Sequence, residues 1–139
     1  MRWLRARQPV LVLACLWVLL YFDYSGLARV GILAALLHET GHVAVWLVLT
    51  RKPPVLRLSP GGIGLDVQGQ QFTKGQALVL AGAGSFVNLI LCVVTLGVMQ
   101  LQASYWGYFF AGANLLMGLF NLLPFGSLDG HRILQAARG

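Results

Sequence analysis

Four long apolar runs dominate the chain and leave little choice of fold. They cover about residues 4–22, 27–50, 76–100 and 104–123. An α-helix rises 1.5 Å per residue, so a run of about 20 residues makes roughly 30 Å of helix, the thickness of a bilayer's hydrocarbon core. The first run is short when counted from Pro9 to Phe22 and reaches that length only if the helix extends back towards Trp3. The composition agrees with a membrane setting: 58% of the 139 residues are hydrophobic and 10% are charged, against about 25% charged in a soluble domain. The expectation is an all-α polytopic membrane protein with about four transmembrane helices, forming one membrane-embedded domain over residues 1–139 with the lipid bilayer as its surroundings.

The segment between the second and third runs has a different pattern. Val55–Leu58, the turn-forming Ser59-Pro60-Gly61-Gly62, and the alternating Ile63, Leu65 and Val67 read as a short β-hairpin over Val55–Gln68. Arg51-Lys52-Pro53-Pro54 closes the second helix before it, because proline cannot continue a helix.

The formal charge of +6 does not point to nucleic acid. Most basic residues sit at the ends of apolar runs, and no basic patch alternates with exposed aromatics. The positive-inside rule instead places the N-terminal arginines, the loop with Arg51, Lys52, Arg57 and Lys74, and the Arg132/Arg138 tail on the cytoplasmic side. Both termini are then cytoplasmic, with only Arg29 against the rule. The basic N-terminus followed by an apolar run resembles a signal peptide, but no clean small-x-small cleavage site follows, so a retained first span is expected. Cys15 and Cys92 lie inside apolar runs without CxxC spacing and read as inert buried thiols.

The second run carries the chemistry. His38-Glu39-Thr40-Gly41-His42 lies near the middle of Leu27–Leu49 and includes the chain's single glutamate. An ionisable residue at bilayer depth costs on the order of 2.5–3.5 kcal/mol on insertion scales and marks a functional site by default. Histidines four residues apart share one helix face, which lets both reach one zinc ion, with the intervening glutamate placed as a general base. The alternative is a pair of polar side chains that join helices.

A catalytic zinc site needs a third protein ligand and an open fourth position. Asp129, His131, Asp66 and Asp23 are the candidates. Asp129 is favoured because it follows Pro124-Phe125-Gly126-Ser127, a segment that cannot stay helical throughout and can fold back at membrane depth where protein or water covers it. His131 competes with it. Asp129 could equally be a capping aspartate that opens a helix over Gly130–Ala137.

His38-Glu39-Thr40-Gly41-His42 together with Asn121-Leu122-Leu123-Pro124-Phe125-Gly126-Ser127-Leu128-Asp129-Gly130 resembles the paired signature of site-2 proteases, HExxH on one transmembrane helix and NxxPxxxxDG at the end of a later one. Ala81–Asn88 resembles the small-residue segment that ends in asparagine in that family. The resemblance covers about residues 27–135. It implies an intramembrane zinc metalloprotease of compact bacterial type in the cell membrane, with one zinc ion held by His38, His42 and Asp129 and with Glu39 as catalytic base. It also implies a catalytic core in the second to fourth helices with the first peripheral. The chain departs from the pattern at Ala83 and Ser127, where proline is common, and at His131, where the family often has a second glycine.

The reaction so implied is hydrolysis of a peptide bond in or near the transmembrane segment of a single-span membrane protein, with release of a cytosolic fragment. Asn121 and Asn88 are the candidates for stabilising the oxyanion, and interhelical bonding is the alternative for each. The hairpin could hold an unwound substrate by strand addition or could be a plain loop. The competing function is a catalytically inactive relative that binds transmembrane helices, and the presence of Glu39 argues against it. A metal carrier would need a ligand-rich path that three histidines and two separated cysteines do not provide. Substrate identity and oligomeric state are open at the level of sequence.

Overall fold

The computed structural model describes residues 4–6, 9–59, 62–65, 70–126 and 128–138. Five helices and three short strands follow one another: β1 (Leu4–Ala6), α1 (Pro9–Tyr21), α2 (Leu27–Thr50), β2 (Leu56–Ser59), β3 (Gly62–Leu65), α3 (Lys74–Leu101), α4 (Tyr105–Asn121) and α5 (Asp129–Arg138). The central helix is α3, which contacts α2, α4 and α5, while α2 also touches α4. Helix α1 stands to one side, leaning on α2 and β2.

Among the described residues two helices, α2 and α3, are long and apolar enough to cross a membrane. The other two expected crossings are shorter than anticipated. Residues Leu4–Ala6 are a strand, and α1 begins only at Pro9. Proline disfavours helical backbone in the residue before it but suits the first helical position, so the helix cannot run back towards Trp3. Thirteen residues make about 20 Å of helix. Helix α4 has 17 residues, about 26 Å. Ser104 caps its start through a 3.0 Å bond from the Gly107 N–H, and the chain leaves the helix after Asn121, ahead of Pro124.

Large apolar side chains cover the outside of the bundle. Leu13, Trp17, Val79, Phe86, Val93, Leu116 and Phe120 are all exposed. Soluble monomers rarely present contiguous apolar surface on this scale, whereas lipid tails are its natural solvent. Inside, small residues let the backbones approach. Gly41 of α2 faces Ala83 of α3, where an added Cβ would sit 2.6 Å from the Ala83 carbonyl oxygen. Gly118 of α4 faces Ser85 and Leu89 in the same way, at 3.2 Å.

The strands form a three-stranded sheet in the order β1-β2-β3. β1 pairs with β2 in parallel. β2 pairs with β3 antiparallel, with Leu56 opposite Leu65 and Ser59 opposite Gly62. Among the described residues nothing pairs with the outer edge of β3. Pro60, Gly61 and Asp66–Gln68, which belong to the expected hairpin, lie outside the described residues.

Arg29, the one exception to the charge rule, has a local partner. Asp23 is buried in the α1–α2 turn and accepts bonds from the backbone N–H groups of Ala28 (3.2 Å) and Arg29 (3.1 Å). The Ser25 hydroxyl accepts from the Leu27 N–H at 3.3 Å. The first three N–H groups of α2 are thus satisfied by side chains. Arg29 returns the contact through its guanidinium, 3.4 Å from the Asp23 carboxylate and 3.0 Å from its carbonyl oxygen. Gly26, at φ 76°, makes the turn and lies flat under the Trp106 ring, leaving no room for a Cβ.

Burial pushes the Asp23 carboxyl up, but the N–H groups of Arg29 and Ala28, the Arg29 charge and the Ser25 hydroxyl outweigh it and hold the pKa below its ordinary 3.8. A depressed folded-state pKa contributes stability that is present above the unfolded value and is lost as pH falls through the folded one. Asp23→Asn should therefore lower the thermal midpoint of the detergent-solubilised protein at pH 7. The gap from wild type should close as the pH is taken below about 3.8, a trend that paired melting curves across pH would read directly.

Candidate metal centre

α2 brings His38 and His42 to its α3-facing side, and both are buried. Asp129 reaches them from the start of α5. After α4 the chain turns through Gly126 at φ 53°, and Gly130 packs against the Leu122 carbonyl so closely that a Cβ would not fit. That contact folds the beginning of α5 back onto the end of α4 and delivers the Asp129 carboxylate, 4% exposed, to the histidines.

The three donor atoms form a small triangle. His38 Nε2 and His42 Nε2 are 3.2 Å apart, and Asp129 Oδ2 lies 3.1 Å from the first and 3.3 Å from the second. Metal–ligand distances of 2.0–2.1 Å in a tetrahedral zinc site imply ligand–ligand edges of about 3.3 Å. The triangle has the edge length that three ligands of such a site would have.

The outer hydrogen bonds fix the rings for this purpose. His42 Nδ1 lies 2.8 Å from the Leu80 carbonyl oxygen. A carbonyl only accepts, so Nδ1 carries the proton and Nε2 presents its lone pair. His38 Nδ1 lies 3.2 Å from Asn88 Oδ1, and the Asn88 Nδ2 donates to the Ala34 carbonyl at 3.3 Å, which orients the amide and gives His38 the same tautomer. Three electron-rich atoms thus converge in a buried place, an arrangement that a bound cation would offset. The Ser85 hydroxyl adds a 3.3 Å bond to Asp129 Oδ2. The residues fit a divalent metal of the zinc type, with outer partners of the kind that hold metal-binding histidines in place.

Space for the rings comes from Gly84. A Cβ there would lie 2.5 Å from His42 Nε2 and 2.6 Å from His38 Nε2. The side chain that joins the two histidines is Asp129, while His131 Nε2 accepts from Gln135 Nε2 at 2.9 Å out on α5. Asp23 is occupied at the far end of α2, and Asp66 lies outside the described residues. Asp129 is the first residue of α5, and its carboxylate faces the histidines and Ser85.

Glu39 is half-buried beside the cluster. Asn88 turns its Oδ1 to His38 Nδ1 and gives one amide N–H to the Ala34 carbonyl, the interhelical bonding that was the alternative for it. Asn121 is part-buried on α4 and gives one amide N–H to the Met117 carbonyl at 2.9 Å. The sequence reading missed the roles of Leu80, Gly84 and Ser85. Their signal was the small-residue pattern of α3, in which Ser85 and Asn88 stand one helical turn apart.

No family model and no curated protein matches the chain. A solved structure does: the site-2 protease from Methanocaldococcus jannaschii, at 27% identity and a TM-score of 0.69 over 93% of this chain. The fold is that of a site-2 protease. The chain spans 63% of that protein's length.

Gly84→Ala should displace both rings and reduce bound metal from one ion per chain towards none, by elemental analysis of the purified protein. Gly97→Ala is the control, since a Cβ there meets nothing within 4 Å. Asn88→Ala, which frees the His38 ring, should weaken metal binding by about 10–100-fold, measurable by competition with a chelator.

Proposed function

We propose that this chain is a zinc-dependent intramembrane endopeptidase that hydrolyses a peptide bond in or near the transmembrane segment of a single-span membrane protein and releases a cytosolic fragment. The observation that carries the reading is the buried triangle that Asp129 of α5 forms with His38 and His42 of α2, the helix that also carries Glu39. Its support is the structural likeness to a site-2 protease.

When bound, zinc lowers the pKa of a coordinated water towards about 7 and polarises the scissile carbonyl. Glu39 accepts the proton of the attacking water and passes it to the leaving amine. Its partial exposure suits a group that must meet water and substrate in turn. Asp129 remains ionised between the histidines, and the Ser85 hydroxyl holds its orientation. Asn121 keeps a second amide N–H that is not committed to Met117, and it is the donor we assign to the developing oxyanion.

A transmembrane substrate hides its peptide bonds within its own helix and must unwind to be cut. The outer edge of β3 offers backbone groups to which an unwound segment can add as a further strand. The positions of the basic residues support a topology with this sheet and the metal centre towards the cytoplasmic side and both termini there.

Glu39→Gln should keep the metal and lose turnover by at least about 10²-fold, the contribution of a positioned general base. The measurement is cleavage of single-span substrates in liposomes with metal content determined in parallel. Equal turnover in the two proteins would remove the assigned role. Proline at Ile63 or Leu65 should slow cleavage and leave the metal in place, because proline removes a backbone donor from the strand. Undiminished cleavage would show that the β3 edge is not used.

A further inference from the structure

The sheet and the metal centre share a support. Trp46 is 4% exposed and lies one helical turn beyond His42 on the same face of α2, a rise of about 6 Å. It packs in a buried cluster with Leu65 of β3 and Leu80 of α3. Phe72, in the segment between β3 and α3, meets the Trp46 ring edge-on with centroids 5.7 Å apart. The indole N–H donates to the Lys52 carbonyl at 2.9 Å, which fixes the ring against the end of its own helix. Leu80 is the second link. Its side chain belongs to this cluster, and its carbonyl oxygen is the partner of His42 Nδ1.

We propose that Trp46 is a positioning residue that sets the register of the substrate strand against the metal centre. The inference rests on the proteolytic reading above and on strand addition at β3. The physical ground is that a strand added to an antiparallel edge can slip along it, and the sheet alone does not say which peptide bond faces the metal. Here the position of β3 is fixed by Leu65, Leu65 is held by Trp46 and Leu80, and Leu80 holds a metal ligand. The distance from strand edge to metal is thereby set by one packed cluster. Loosening the cluster should leave the chemistry in place and blur the choice of bond.

The test compares wild type, Trp46→Leu and Leu65→Ala as full-length, metal-loaded protein in phosphatidylcholine–phosphatidylglycerol vesicles with a synthetic single-span peptide. Trp46→Leu keeps apolar bulk but removes the indole bond, and Leu65→Ala loosens the cluster from the strand side if the first variant folds poorly. Mass spectrometry of the products should show one principal cleavage position for wild type and a spread to neighbouring bonds for both variants, with metal content unchanged. Hydrogen exchange at Ile63–Leu65 should speed up by roughly fivefold or more in Trp46→Leu, the loss that one ordinary hydrogen bond gives, while the amides around His38 stay protected. The same single cleavage position in the variants, at whatever rate, overturns the proposal. So does unchanged exchange in β3, or loss of metal from Trp46→Leu, which would make Trp46 a support of the metal centre alone. A wild-type protein that cuts nothing removes the proteolytic reading and this one with it, and that result is distinct from a register that stays fixed.

Discussion

Two imidazole nitrogens and a carboxylate oxygen lie 3.1–3.3 Å from one another inside a helical bundle. Left to themselves such groups repel, because each presents a lone pair and the surroundings screen poorly. Much of the fold serves to hold them there. Leu80 and Asn88 turn the rings, Ser85 steadies the carboxylate, and Gly84 leaves the room that the rings occupy. All four belong to α3, which supplies none of the three ligands. The helix without a ligand is the one that makes the other two segments converge.

This division of labour explains the pattern of small residues. A driving force between helices that comes only from packing needs close backbones. Gly41 against Ala83 and Gly118 against Ser85 bring α2 and α4 onto opposite parts of α3. Ser85 then stands where its carbonyl meets α4 and its hydroxyl meets Asp129. The polar residues of this interior are few, and most face the metal centre.

Much of this was legible in the sequence where a pattern is local. The bounds of α2 and the HExxH spacing follow from apolar length and helical periodicity, and the helix-breaking residues before Asp129 signalled the fold-back that brings it to the histidines. What was not legible depended on contacts across the fold. The early strand at Leu4–Ala6 arises because Pro9 starts a helix and cannot sit in the middle of one. Arg29 seemed misplaced until Asp23 was seen to bind both its backbone and its side chain. Asn88 had two readings, a donor to substrate and an interhelical bond, and its amide bonds His38 and Ala34. An asparagine within an apolar run announces a polar contact but not the partner.

The order in which the ligands occur along the chain also matters. The imidazoles come from positions 38 and 42, and the carboxylate arrives at position 129, after α3 and α4 have been made. A ribosome delivers them in that sequence, so the nascent polypeptide holds an incomplete coordination set through most of its synthesis. The three donor atoms come together only when α5 docks against the Leu122 carbonyl. The same docking that closes α5 onto α4 therefore completes the triangle.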